Sequence, residues 1–289
     1  MSPVRSVLTT LSYVQKFSGQ TILVKLGGAV LQDSYWVESI CKDLHSIRSV
    51  GVNVVVVHGG GPAINEELKA RGIEWQFVDG QRVTTPAMME IIEMVLCGLV
   101  NRRVVRALNQ AGVRSVGISG SDAGTLVCRQ ISTRLGQVGF IDQVDGSIIH
   151  SILKEGIPVI APIGVGKEGE VFNINADWAA SRIAQALGIT KMLFLTDQDG
   201  ILDSHGNLIG EIDAADLETL IETGIVTGGM LAKTQTVLSA LRNGVSHAHI
   251  LNAKRPHALI EELFTEGGIG TICRLRSRVS NFGKEKPYV

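Results

Sequence analysis

The sequence has no surplus of charge: 27 Lys and Arg stand against 28 Asp and Glu, a net charge of −1. Opposite charges interspersed in this way make neither a polyanion-binding face nor a patch for an acidic bilayer, so no nucleic acid and no membrane surface is expected as a partner. Long hydrophobic runs are missing too. No apolar stretch reaches the roughly 18 residues that span a bilayer, and the N-terminus has no apolar core followed by a small-residue cleavage site, so the expected compartment is the cytoplasm. The four cysteines, Cys41, Cys97, Cys128 and Cys273, are far apart. They form no C-x-x-C pair and no metal-ligand spacing, which argues against a disulfide framework and for reduced thiols filling a core. What is plentiful is apolar content, 45% of 289 residues. A chain so composed can bury a full core in an α/β fold, as one large sheet or two lobes, and its partner should be a small molecule.

The most informative stretch is residues 54–68, VVVVHGGGPAINEEL. A β-branched run breaks at Gly59, Gly60 and Gly61, and Pro62 then opens a segment with helical character. Bare glycines let backbone N–H groups crowd an anion, proline suits the first helical turn, and the helix N-terminus adds positive potential. The loop therefore suits a phosphate or carboxylate, although the same sequence also serves simply to tighten a βα turn. Thr21–Leu26 (TILVKL) reads as the first buried strand and ends in K-x-G-G. In open parallel α/β sheets ligands gather beyond the carboxyl ends of strands, so Lys25 can aim its ammonium at the point the Gly59–Gly61 loop faces. The bland alternative is a surface lysine on a turn.

Ahead of that strand, residues 4–18 carry Val7, Leu11, Val14 and Phe17 at helical spacing, an added amphipathic helix for its own lobe or for another subunit. Residues 34–50 read as a crossover helix, 77–84 as a polar connection, and 86–111 as a long helix. Arg82 in that connection is a candidate carboxylate clamp, with a plain surface arginine as the alternative. Residues 125–145 alternate like an antiparallel hairpin and are expected to form a lid. Asn173, Asn175 and Asp177 then stand at a strand-to-helix junction, where Asp177 could serve only as an N-cap. Lys191–Thr196 is a further strand, followed by the acidic turn Asp197-Gln198-Asp199-Gly200, which lacks the spaced carboxylates of a calcium loop. Gly228 and Gly229 precede a helix that has Lys233 one turn inside it, a second anion-site pattern.

Taken together and in order, KLGG, HGGGP, DGQRVT, NINAD, LTDQDGIL and GGMLAK resemble the amino acid kinase superfamily, and within it the N-acetylglutamate kinases, from residue 21 to 274. The resemblance implies a three-layer αβα sandwich with a mainly parallel central sheet, an N-terminal helix and a β-hairpin lid. It divides the chain into a helical extension (1–20), a kinase domain with an acyl amino acid half (21–170) and a nucleotide half (171–274), and a tail (275–289). It implies MgATP as phosphoryl donor and N-acetyl-L-glutamate as acceptor. Lys25 and Lys233 match the family lysines that stabilise the transition state, and Asp177 the aspartate that orients them. Gly28 and Gly60 are expected to donate to the moving group, Gly61 to cradle the acyl amino acid, Arg82 to grip its α-carboxylate and Asn173 to contact it. The nucleotide is expected along Thr196, Asp197, Gly200, Ile201 and Leu202, and at Thr227, Gly228 and Gly229; no protein metal ligands are assigned. The Y-x-x-K-F pattern from Tyr13 to Phe17 resembles the extension of arginine-inhibited hexamers, which implies a trimer of dimers with arginine held by Tyr13, Glu266, Gly268 and Gly270. The resemblance leaves open a PII-type signal protein as a partner. Rival readings are a kinase of carrier-linked aminoadipyl or glutamyl groups and a non-catalytic arginine or nucleotide sensor. The chain departs from the pattern at Leu26 and Ser121, where many relatives carry tyrosine and lysine.

Overall fold

Residues that are apolar on successive positions, as in Val54, Val55, Val56 and Val57, can form a strand only if both faces of the sheet are covered. That is the arrangement found in the computed structural model, which describes residues 3–265 and 267–275. All four valines are fully buried. They belong to β2 (Asn53–His58), which lies beside β1 (Thr21–Leu26) near the middle of an eight-stranded sheet.

In chain order the remaining strands are β3 (Phe77–Val78), β4 (Gln81–Arg82), β5 (Ser115–Ser119), β6 (Leu126–Gln130), β7 (Gly139–Val144), β8 (Ile157–Ala161), β9 (Ile163–Val165), β10 (Val171–Asn173), β11 (Lys191–Thr196), β12 (Glu211–Asp213), β13 (His247–Asn252) and β14 (Thr271–Arg274). The large sheet runs β12-β14-β13-β11-β1-β2-β8-β5 and is parallel except between β13 and β14. From β1 the chain builds outward on one side through β2, β8 and β5, and on the other through β11 and β13. A crevice at such a switch point, beyond the carboxyl ends of the strands, is where ligands of open α/β sheets collect.

Helices cover both faces. On one lie α1 (Pro3–Phe17), α2 (Ser34–Ser49), α3 (Gly61–Ala70), α4 (Pro86–Glu93) with its π-helical continuation Met94–Val100 and α5 (Asn101–Gln110), and the late α10 (Ala258–Phe264). On the other lie α6 (Ser147–Leu153), α7 (Ala176–Ala186), α8 (Ala214–Glu222) and α9 (Gly228–Arg242). Alternate residues of β1 divide between the two cores, Ile22, Val24 and Leu26 facing one and Leu23 the other. Helix starts follow local chemistry: Asp33, Thr85 and Asp213 cap α2, α4 and α8 through their side chains, and Pro62 and Pro86 occupy first-turn positions.

One feature differs from the sequence reading. The hairpin of residues 125–145 is present as β6–β7, but it is built into a four-stranded sheet of order β10-β9-β6-β7. The hairpin that borders the ligand crevice is the shorter β3–β4, paired Phe77 to Arg82. The N-terminal helix packs its last turn on its own chain, with the Phe17 and Phe264 rings 6.2 Å apart edge to face. Its earlier turns keep Val7, Leu8 and Leu11 exposed. No helix among the described residues is long and apolar enough to cross a membrane. Most of the tail, residues 276–289, lies outside the described residues.

Candidate active site

Lys25 is the fifth residue of β1, and only 6% of it is exposed. A buried ammonium needs a counter-charge, and α7 supplies one. Asn175 accepts the Asp177 and Trp178 amides, at 2.9 and 3.2 Å, and so caps that helix. Asp177 is therefore free of capping duty, contrary to the simpler expectation, and it stands in the first turn where the helix dipole favours a carboxylate. Lys25 Nζ lies 2.7 Å from Asp177 Oδ1, and Lys233 Nζ lies 3.3 Å from Asp177 Oδ2. One carboxylate thus bridges two cations that are 208 positions apart in sequence.

The electrostatics follow. Burial by itself would raise the Asp177 pKa, but the two ammonium groups outweigh it and hold the carboxyl at about 2. Lys233 is pushed below the ordinary lysine value by burial and by the Lys25 charge, with Asp177 opposing both. The result is a site with net positive charge fixed in a poorly solvated crevice.

Two cavities meet there. One, about 280 Å³, is bordered by Lys25, Gly28, the Gly59–Gly61 loop, Arg82, Asn173 and Asp177. The other, about 490 Å³, is bordered by Lys25, Gly28, Thr196, Asp197, Thr227, Gly229 and Lys233. Lys25 and Gly28 border both. The two glycine turns fit into one another: a Cβ on Gly28 would lie 2.9 Å from Pro62 Cδ and 3.0 and 3.1 Å from the Gly61 and Gly60 nitrogens, so the facing loop would have to shift to admit it.

In the smaller cavity Arg82 is 6% exposed, lies 4.8 Å from the centre of the Phe77 ring, and donates from Nη2 to Asn65 Oδ1 at 2.5 Å. Its Nη1 is buried and has no hydrogen-bond partner among the described residues. Half of a guanidinium fork is thus presented to the cavity, the half that a ligand carboxylate would occupy. Asn173 donates from Nδ2 to Thr84 Oγ1 at 3.1 Å. Asn65, Phe77 and Thr84, which hold these two side chains, went unnoticed in the sequence; Asn65 lies one turn past the glycine loop, the one clue that could have marked it.

In the larger cavity the start of α9 faces the space, with Thr227 and Gly229 on its border and Gly228 between them at φ +57°. Three other residues expected to meet a nucleotide, Gly200, Ile201 and Leu202, do not border this cavity. Ile201 is a fully buried core residue whose amide donates to Thr271 Oγ1 at 2.8 Å and whose carbonyl accepts from Ile209. Gly200 is buried beside Thr271, and Leu202 pairs with Leu208 in an isolated bridge. Strand β14, arriving late in the chain, is what covers this turn. Leu26 is buried in the core and Ser121 bonds Ser119, and neither departure from the family pattern borders either of these two cavities.

Of the residues expected to hold arginine, Tyr13 packs half-buried against the core. Gly268 has φ +56°, and the Gly270 amide is committed to Glu262 Oε2 at 3.1 Å. Glu266 lies outside the described residues. Among the described residues no three His, Cys, Asp or Glu side chains gather as metal ligands.

Comparison with known proteins identifies the family. Residues 20–252 match the model of the amino acid kinase family. An acetylglutamate kinase of Vesicomyosocius okutanii is 44% identical over 282 residues, covering 93% of this chain and 91% of that protein. One of Jannaschia sp. is 43% identical over 275 residues, with 95% and 96% covered. Among solved structures, N-acetylglutamate synthase from Neisseria gonorrhoeae, complexed with coenzyme A and N-acetyl-glutamate, superposes with a TM-score of 0.87 at 25% identity. The match covers 96% of this chain and 64% of the synthase, so the chain spans somewhat under two thirds of that protein. Carbamate kinase from Giardia lamblia bound to AMP-PNP shares the fold, with a TM-score of 0.64 at 14% identity over 89% of this chain and 99% of its own. Fold, motif order and overall identity converge: the chain belongs to the amino acid kinase family and, within it, to the acetylglutamate kinases.

Proposed function

We propose that the chain transfers the γ-phosphoryl group of ATP to the side-chain carboxylate of N-acetyl-L-glutamate, forming N-acetyl-L-glutamyl 5-phosphate for arginine biosynthesis. The observation that carries this reading is the Lys25–Asp177–Lys233 bridge at the junction of two cavities. A carboxylate oxygen attacks the γ-phosphorus, the new C(=O)O–P bond forms as the bond to ADP breaks, and no proton need be removed from the acceptor. The barrier is the approach of two anions, so positive charge and N–H donors matter more than a base. Lys25 and Lys233 supply the charge from opposite sides, and Asp177 offsets their mutual repulsion and orients them. Gly28 and Gly60 offer amides to the moving group. Arg82 takes the α-carboxylate with its open Nη1, Asn173 and Gly61 border the acyl group, and Mg²⁺ enters with the nucleotide.

Regulation by arginine is part of the same proposal. Val7, Leu8 and Leu11, exposed on α1, suit burial against a second copy, which would join dimers into a trimer of dimers. Arginine would bind where α1 meets the C-terminal segment. The test of the catalytic reading is hydroxylamine trapping: N-acetyl-L-glutamate with MgATP should give the hydroxamate. A product formed only with a carrier-linked substrate, or no ATP turnover at all, would contradict it.

A further inference from the structure

The residue ahead of the three glycines is a histidine that no step above uses. His58 is fully buried at the end of β2. Its Nδ1 lies 3.0 Å from the Gly59 carbonyl oxygen, and its Nε2 lies 3.2 Å from Asn101 Nδ2. A carbonyl only accepts and an amide NH₂ only donates, so one form of the ring satisfies both: neutral, with the proton on Nδ1 and the lone pair on Nε2. Burial favours that form, lowering the His58 pKa to about 4.

Asn101 is itself fully buried, and its amide orientation is determined on every side. Nδ2 also donates to the Val159 carbonyl at 2.9 Å, while Oδ1 accepts from Arg102, whose Nη2 reaches the Gly117 carbonyl at 2.8 Å. A flipped amide would turn oxygen toward the Val159 carbonyl and toward the bare Nε2. Gly117 makes room for this arrangement, since a Cβ there would collide with Asn101 and Arg102. Asn101 follows directly on the π-helical segment Met94–Val100. The wider i→i+5 turn presents Leu96, Val100 and Asn101 toward the same loop: a Cβ on Gly60 would meet Leu96 and then Val100. The loop is tied from its other side by the Gly59 amide, which donates to Leu26 at 2.8 Å.

We infer that His58 and Asn101 are positioning residues for the phosphoryl transfer, fixing the Gly59 carbonyl so that the Gly60 amide in the same peptide unit faces the transferred group. Three successive glycines are the most pliable backbone available, and donors aimed at developing charge help only when they are held in advance. This inference rests on the phosphoryl-transfer reading of the site. His58 does not border the nucleotide cavity, so its loss should fall on kcat and not on ATP binding.

The test uses the full chain with His58→Leu and His58→Asn, each checked for thermal stability, and measures kcat and the KM for ATP by hydroxylamine trapping. His58→Leu should lower kcat about 10- to 100-fold with KM for ATP within twofold. His58→Asn, whose amide N–H replaces the Nδ1 donor, should recover most of the lost rate. In ¹⁵N-histidine spectra of the wild type, the signal lost in His58→Asn should be a neutral ring protonated on Nδ1; this readout stands even if His58→Leu does not fold. An Nε2-protonated ring overturns the inference. So does an active wild type whose His58→Leu variant keeps its kcat, or a His58→Asn variant as slow as His58→Leu. A wild type without activity overturns the phosphoryl-transfer reading and this inference with it.

Discussion

Replacing Asp177 with asparagine keeps the shape of the side chain and removes the charge between two ammonium groups. Its contacts, 2.7 Å to Lys25 and 3.3 Å to Lys233, mean that both cations lose their nearest counter-charge at once. With an effective dielectric constant of about 20 and a separation of ~6 Å, the unscreened repulsion between them is about 3 kcal/mol. If that energy appears as misplacement of the two lysines in the transition state, kcat falls on the order of 100-fold. A second signature concerns pH. Lys233 already sits below the ordinary lysine value because of burial and the Lys25 charge, and Asp177 is the principal group opposing that shift. Activity that needs Lys233 protonated is lost as pH rises through its pKa, so Asp177→Asn should move the alkaline limb of the kcat profile to lower pH. The linked stability term has the opposite sense. Asp177 at about 2 instead of its ordinary 3.8 contributes about 2 kcal/mol. That contribution is complete above about pH 4 and disappears as pH falls toward 2. Steady-state rates from pH 6 to 10 would decide the matter: an Asp177→Asn enzyme within threefold of wild type, with its alkaline limb unmoved, would refute the reasoning.

Other outcomes are expected from the same structure. Arg82→Lys keeps a charge but loses the planar fork, and should raise the KM for N-acetyl-L-glutamate about 10-fold or more while the KM for ATP stays within twofold. Gly60→Ala places a methyl against Leu96 beneath the loop and should reduce kcat at least 10-fold without lowering ATP affinity, as read by the same kinetics. Removing residues 1–18 should leave turnover within a few-fold of wild type, abolish inhibition by arginine and reduce the molar mass seen in light scattering; an unchanged arginine response would refute the proposed regulation.

Much of this was legible in the sequence, for local reasons. Val54–Val57 could only be a strand buried on both faces, and Gly59–Pro62 could only be a turn entering a helix. Lys25 at a strand end and Lys233 one turn inside a helix that follows two glycines were visible as candidate anion-binding groups. What the sequence did not display were properties created by distant segments. The turn at Ile201 was visible, but not that Thr271 of β14, 70 residues later, would accept a hydrogen bond from its amide. The strands at 126–144 looked like a free hairpin, and their pairing with β9 absorbed them into a second sheet. Asp177 looked like a helix cap until Asn175 took that role. The π-helical segment under the glycine loop follows no residue preference that periodicity reveals, since Met94–Val100 is apolar throughout apart from its one glycine.

The central claim is that two cations from opposite halves of the chain act together on one phosphoryl group in flight. Its most direct measurement is the steady-state kinetics of Lys233→Ala with N-acetyl-L-glutamate and MgATP. The account predicts a kcat lower by about three orders of magnitude or more, with KM values changed only a few-fold, because the lost interaction is made chiefly in the transition state. A Lys233→Ala enzyme that turns over as fast as the wild type would contradict it.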